Sequence, residues 1–429
     1  MRKLAINGGR PVRRKSFPRY NAIGEEEKRA VNRVLSSGIL SRFLGCWDKD
    51  FYGGQEIQAL ENEWAKYFRV RHAIAVNSCT SGLYCAVGAI GVEPGQEIIV
   101  SPYTMSASAT AALIFNAVPV FADIEEDYFC LDPESIEQNI TSRTKAIIVV
   151  DIFGLPYNAS AINKIAKKHG IFVIEDTAQA PGALYKNRFA GTLGDIGVYS
   201  LNYHKHIHCG EGGIVVTNDD RLAERVRLIR NHAEAVVENK KVTNLTNMIG
   251  FNFRMTEIEA TIARSQLRKL KKLLGKRQEN CDYLARRISD IPALKTPKMR
   301  LGCTHAYYAY PIKFNEEIAD ISRERFVEAV SAELSPIKSG LIMNIGYAKP
   351  LYLQPMYQKK IAYGSSGCPF KKPWYNGSIN YRKGICPVAE RMYEKELFSH
   401  ELIKPSMAKK DLDDVIEAFH KVWQHRHEL

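Results

Sequence analysis

The sequence predicts an α/β protein in which a mostly parallel sheet lies between helical layers and a smaller α+β domain follows. Three observations predict it. Short runs that are apolar on both faces, at 73–76, 97–101, 118–123, 146–150 and 171–176, alternate with helical segments at 83–90, 107–116 and 159–169. Strands of that kind, joined by helices, belong to a sheet covered on both sides. Two further β-branched runs, 198–201 and 214–217, enclose a Gly-Glu-Gly-Gly turn. After Pro292 the alternation stops and tyrosine-, glycine- and proline-rich stretches take over. With 429 residues and 45% hydrophobic composition, the chain has room for one large core and a smaller one.

Residues 3–18, rich in Gly, Pro and Arg, read as an extended arm, and 23–35 as a helix whose Glu25, Glu26 and Glu27 sit where the helix dipole favours acids. A glycine- and aromatic-rich loop at 41–54 leads to an amphipathic helix at 57–68. The strand at 73–76 runs into Asn77-Ser78-Cys79-Thr80-Ser81-Gly82 and a helix. Thr80 and Ser81 then stand in the first turn, where hydroxyls and free N–H groups either cap the helix or hold a phosphate. The strand at 171–176 ends on Asp176, with Gln179 in the following turn. Ligands of parallel sheets gather at such carboxyl ends, so Asp176 either caps the next helix or faces a ligand.

Between the next two strands, YHKHIHCGEGG presents Lys205 on a loop, beside Ser200 and a glycine turn that lets backbone approach a ligand. A Schiff-base amine suits this setting better than surface decoration. A helix at 218–230 and a long charged helix at 254–274 follow, with Arg254 and Glu257 spaced to pair along one face. Asn252 lies just before that helix and either caps it or reaches a ligand or second subunit. A strand at 304–314, a helix at 322–333, loops at 339–378 and a closing helix at 411–423 complete the chain. The expected units are an arm and first helix (1–56), a large domain (57–289) and a small domain (290–429).

The formal charge of +13 comes from dispersed Lys and Arg, without a zinc finger, basic arm or aromatic-spaced basic patch. That pattern argues against nucleic acid and for an anionic small ligand. No apolar run is long enough to span a bilayer and no signal peptide is evident, so no membrane association is expected. Nine cysteines, odd in number and unpatterned, argue for a reducing cytoplasm over a disulfide framework. His204, His206 and His208 alternate, and with Cys209 they form a nominal metal set. The glycine-rich loop and the neighbouring ammonium argue against a metal, so His204 and His206 are expected to donate to a phosphate or sugar hydroxyl.

A phosphate holder, a carboxylate and a lysine in chain order are the parts of a pyridoxal phosphate (PLP) site. An ionised Asp176 pairs with a protonated pyridine nitrogen and keeps the ring an electron sink.

At these residues the chain resembles the DegT/DnrJ/EryC1/StrS sugar aminotransferases. The matches are NSCTSGL at 77–83, VIEDTAQAPGA at 173–183, YSLNYHKHIHCGEGG at 199–213, GFNFRMTEIEA at 250–260 and CPVAER at 386–391, in family order across nearly the whole chain. The resemblance implies the PLP-dependent transferase fold type I and an aminotransferase of amino sugar biosynthesis, serving polysaccharide or antibiotic assembly. It implies that Lys205 carries the cofactor, Asp176 meets the ring nitrogen and Gln179 the ring hydroxyl. It further implies that Thr80, Ser81 and Ser200 hold the phosphate, and that Asn252 reaches the phosphate of the neighbouring subunit in a homodimer with shared active sites. The implied amino donor is glutamate or glutamine, pyridoxamine phosphate carries the amino group between substrates, and the acceptor is a keto sugar, often nucleotide-linked, or a keto-cyclitol.

Two positions depart from the family pattern. In SPYTM, Met105 takes the place of an aromatic over the cofactor, with Tyr103 as the ring that would turn inward. Asp151 replaces a histidine before IFGLP and is expected on the substrate side, together with Tyr103, His204, His206 and Tyr347. The alternatives are a PLP-dependent dehydratase or epimerase of the same fold, or a non-catalytic PLP-binding regulator. Dehydrating members replace the lysine with histidine, and here the glycine turn sets the register on Lys205.

Overall fold

Seven strands form the main sheet of the computed structural model, in which residues 3–334 and 342–429 are described. Residues 339–341 of the loop region expected at 339–378 lie outside the described residues. The strands are β1 (His72–Val76), β2 (Glu97–Val100), β3 (Val118–Phe121), β4 (Thr144–Val150) and β5 (Phe172–Asp176), then β8 (Ile196–Ser200) and β9 (Gly213–Thr217), with a separate hairpin, β6 (Leu184–Tyr185) and β7 (Arg188–Phe189), between β5 and β8. Their order is β1-β9-β8-β5-β4-β2-β3. The five strands from β3 to β8 run parallel, as the apolar runs predict. At the other edge β9 is antiparallel to both β8 and β1, because the loop from 201 to 212 carries no crossover helix and the chain returns directly beside β8.

The helices of this layer are α1 (Glu25–Ser37), α2 (Gln55–Phe68), α3 (Cys79–Ala89), α4 (Ala107–Leu113), α5 (Pro133–Asn139), α6 (Ala159–His169), α7 (Asp220–Arg230) and α8 (Glu257–Ile288). Helix α8 begins later than expected and runs 14 residues past 274 to Ile288, so it bridges two cores. Leu267 and Leu270 pack with α2, while Cys281, Leu284 and Ile288 pack in the small domain. The pair expected between Arg254 and Glu257 does not form. Arg254 lies before the helix, its guanidinium 2.8 Å from the Asn252 side-chain oxygen, and Glu257 accepts from the Glu56 N–H at 2.7 Å.

The small domain is a four-stranded antiparallel sheet in the order Leu294–Lys295, Tyr310–Phe314, Leu397–His400, Met343–Ile345. Helices Arg323–Leu334 and Lys409–Gln424 cover it, with Phe326, Phe398 and Phe419 in its core. The N-terminal arm joins this core. Leu4 is fully buried in it, and the N–H groups of Ala5 and Val12 donate to the Glu333 carboxylate at 2.8 and 3.1 Å. Within 1–56 the arm packs on the small domain and α1 on α8. Part of the expected small domain also returns to the large one: Tyr352, Tyr357 and Tyr381 surround Phe121 of β3 at centroid distances of 5.6, 5.3 and 5.5 Å. The strand expected at 304–314 begins only at Tyr310, because the preceding N–H groups of Ala306 and Tyr308 donate to Gly154 and Phe153 of the large domain, each at 2.8 Å.

Candidate active site

The carboxyl ends of β5 and β8, the first turn of α3 and residues 347–354 enclose a cleft of about 570 Å³. Each wall follows from local chemistry. Ser78 caps α3 by accepting the Ser81 N–H at 3.0 Å, and the Ser81 hydroxyl is spent in the same cap, 2.8 Å from Ser78 Oγ and donating to Asn77 Oδ1 at 2.6 Å. Ser78 and Thr80 line the cleft and Ser81 does not, so the capping and ligand readings divide between neighbours. Strand β9 approaches so closely here that a Cβ on Gly213 would lie 2.6 Å from the Ser78 carbonyl, which explains the glycine at the end of the turn.

Asp176 is buried at the end of β5. Its Oδ2 accepts from Ser108 Oγ of α4 at 2.7 Å, its Oδ1 from the Ala178 N–H at 3.2 Å, and Cys79 Sγ lies 3.9 Å away. Burial raises its pKa, while the hydrogen bonds from Ser108 and Ala178 and the charge of Lys205 pull it down. Lys205 is 9% exposed, its loop turned by a hydrogen bond from its N–H to the Asn202 carbonyl at 2.9 Å. Burial holds the amine below its ordinary pKa, which enlarges the neutral, nucleophilic fraction. Gln179 accepts from the Phe153 N–H and donates to the Tyr347 hydroxyl, both at 2.7 Å, and so fixes Tyr347 on the cleft wall. Ser200 lines the floor, and Asn202 Nδ2 clasps Glu211 at 2.8 and 2.9 Å at the mouth.

Over residues 21–380 the chain matches the DegT/DnrJ/EryC1/StrS aminotransferase family. It belongs to that family. It is an aminotransferase with PLP-dependent fold type I, and the family's aminotransferases depend on PLP. It is similar to the spore coat polysaccharide biosynthesis protein SpsC of Bacillus subtilis, with 32% identity over 92% of this chain and 94% of the relative. It is 31% identical, over 99% of this chain and 97% of the relative, to the L-glutamine:2-deoxy-scyllo-inosose aminotransferase of Streptomyces kanamyceticus. Among solved structures it resembles the aminotransferase from Psychrobacter cryohalolentis, with a TM-score of 0.80, 27% identity, and coverage of 96% of this chain and 100% of that one.

Several candidate residues of this aminotransferase stand elsewhere than the sequence suggests. Met105 lines the rim and is 64% exposed. Tyr103 is fully buried away from the cleft, donating to the Gly346 carbonyl at 2.7 Å with its ring centroid 5.7 Å from that of Tyr347. The backbone at 102–104 bends, so two-residue alternation does not bring Tyr103 beside Met105. His204 lines the cleft, its pKa lowered by burial and by Lys205. His206 is buried and turned away, Nε2 at 2.8 Å from the Ala306 carbonyl, because residues 203–207 form turns and bends instead of an extended strand. Asn252 is exposed and does not line this chain's cleft. It does not cap α8 either, since Thr256 and Glu259 form that cap. Ser108 and Tyr308, which also borders the cleft, were not among the expected site residues, and nothing in their local spacing signals them.

Asp151 is the clearest correction. It is fully buried on the face of the sheet opposite Val150, and Val150 is the residue that lines the cleft. Its oxygens accept from the Tyr157 N–H at 3.0 Å and the Thr177 hydroxyl at 2.9 Å, so it does not meet substrate. Burial and the neighbouring Glu175 carboxylate hold its pKa well above the ordinary value. A folded-state pKa raised in this way gives stability that is fully present below the unfolded value of about 4 and is lost as pH rises through the folded value. Asp151→Asn removes that dependence. Between about pH 5 and about pH 8 the melting temperature of the variant should fall less than that of the wild type, and equal falls would contradict the pairing.

Proposed function

We propose that this cleft holds PLP, attached through Lys205, and that the enzyme moves an amino group from glutamate or glutamine to the ketone of a keto sugar or keto-cyclitol. The observation that carries this reading is the convergence of a buried amine, a buried carboxylate and a hydroxyl-bearing helix N-terminus on one cleft. Those three groups are the partners that a carbonyl carbon, a pyridine nitrogen and a phosphate require.

Thr80 and Ser200, with N–H groups of the first turn of α3, hold the phosphate. Asp176, oriented by Ser108, holds a proton at the pyridine nitrogen. Gln179, which lines the cleft, would meet the ring hydroxyl. When bound, PLP supplies an electron sink for charge that develops at the amino-bearing carbon. Lys205 Nζ would take the proton from the donor Cα as general base, and its lowered pKa suits that task. At the mouth, Lys349, Glu211, His204 and Tyr347 offer mixed donors and acceptors to a polyhydroxylated ring. Similarity to an enzyme named for 2-deoxy-scyllo-inosose supports a cyclitol or sugar ketone as acceptor. Nine cysteines without a disulfide suit a reducing compartment, here the cytoplasm. Among the described residues no helix is long and apolar enough to cross a membrane.

The donor alone should bleach the cofactor's visible absorbance, and an acceptor ketone should restore it. A panel of keto-cyclitols and nucleotide-linked keto sugars then ranks acceptors by the rate of recovery. Recovery with no ketone in the panel would contradict the acceptor class.

The working unit on this reading is a homodimer with shared sites. Asn252 is exposed outside its own cleft, and the nearby Leu245 and Ile249 are exposed apolar side chains of the kind a second copy covers. Mixing inactive Lys205→Ala chains with inactive Asn252→Ala chains should restore activity, because a mixed dimer has one intact site. With subunit exchange demonstrated by pull-down of differently tagged chains, absence of rescue would contradict shared sites.

A further inference from the structure

We propose that Tyr308 is a positioning residue for Lys205, its ring face holding the ammonium form of the amine whenever Lys205 is detached from the cofactor. Lys205 Nζ lies 4.4 Å from the centroid of the Tyr308 ring. A cation within about 6 Å of a ring centroid is attracted to the negative face, and the attraction grows when water is excluded.

The Tyr308 backbone is held by the large domain. The Tyr308 N–H donates to the Phe153 carbonyl at 2.8 Å. The buried Arg277 of α8 donates to the carbonyls of Tyr307 and Tyr308 at 2.8 and 3.1 Å. The rings of His204 and His206 flank it at 6.1 and 6.2 Å. Tyr308 therefore presents one face to the amine without rearrangement.

A proton carrier needs both of its forms to be accessible. Burial drives Lys205 toward the neutral amine, while Cys79 of α3, Asp176 at the end of β5 and Glu401 after the strand Leu397–His400 favour the charged form. His204 and His206, on the same loop, have pKa values lowered by burial, with Lys205 adding to the shift, so they offer it no negative charge. Asp176 is engaged by Ser108 and, on the reading above, by the cofactor ring. The π-face of Tyr308 adds to the charges of Asp176 and Glu401 in steadying the ammonium. The catalytic meaning of this contact rests on Lys205 being the cofactor's amine, but the contact itself is testable without cofactor.

Competitive acetylation of the cofactor-free full-length chain with acetic anhydride across pH, read at the Lys205 peptide by mass spectrometry, gives the pKa of that amine. Tyr308→Phe keeps the ring and should leave the value unchanged. Tyr308→Leu should lower it by about one unit, a tenfold loss of proton affinity on the scale of a partly desolvated cation–π contact. Singly and triply ring-fluorinated phenylalanines at 308 keep the shape while withdrawing charge from the face, and should lower the value stepwise. This series decides the matter if the leucine variant melts early. A wild-type value in a folded Tyr308→Leu chain, or no trend across the fluorinated series, overturns the proposal. Failure of the functional reading would appear separately, as a chain whose cofactor absorbance does not respond to amino donors while the Lys205 shift persists.

Discussion

Lys205→Ala loses the donor half of the reaction, with turnover falling roughly 10⁴-fold or more, the upper range for removal of a general base, because the variant also lacks the amine that attaches the cofactor. The expectation follows from the burial of this one amine in the cleft and from its lowered pKa. Neither neighbouring histidine replaces it: His206 is committed to the Ala306 carbonyl, and His204 stands at the rim. The measurement is cofactor absorbance after mixing with donor, together with borohydride trapping at the 205 peptide. A variant that still bleaches with donor, or a trapped adduct on another lysine, would remove Lys205 from its role.

Asp176→Asn keeps the size of the side chain and one hydrogen-bond acceptor for Ser108, yet cannot balance a protonated ring nitrogen. Turnover should fall on the order of 10²–10³-fold, as when a preorganised electrostatic partner is removed, while cofactor retention through the phosphate contacts falls far less. Burial raises the Asp176 pKa in the cofactor-free cleft, and a cationic ring nitrogen beside it would lower that pKa and favour the carboxylate. Equilibrium dialysis of cofactor and single-turnover rates in the same variant separate retention from chemistry. Wild-type turnover would contradict the pairing.

Much of the fold was legible because its signals are local. Runs apolar on both faces marked the parallel strands, and the strand-end position of Asp176 and the glycine turn beside Lys205 pointed to one ligand. What stayed hidden is set by distant chain segments. Ser108 holds Asp176 from 68 residues away, and Tyr308 reaches Lys205 because its backbone is bonded to Phe153 and Arg277. Tyr103 and His206 lie off the cleft because the backbone at 102–104 and 203–207 turns and bends, which their residue types do not signal. Asp151 was readable in principle, since alternation from Val150 turns it to the opposite face, but its departure from the family pattern suggested substrate instead. The rings of Tyr352, Tyr357 and Tyr381 around Phe121 could not be inferred from a loop-like composition.

On the proposed function, nitrogen passes from an amino acid to a ketone through the cleft around Lys205. Glutamine or glutamate labelled with ¹⁵N at the α-amino group, supplied with a keto-cyclitol or keto sugar, tests it most directly by mass spectrometry of the products. The expected product is an aminated acceptor carrying one ¹⁵N for each molecule of keto acid formed, with none in the Lys205→Ala variant. An acceptor that loses oxygen or inverts a centre without taking up label would contradict it.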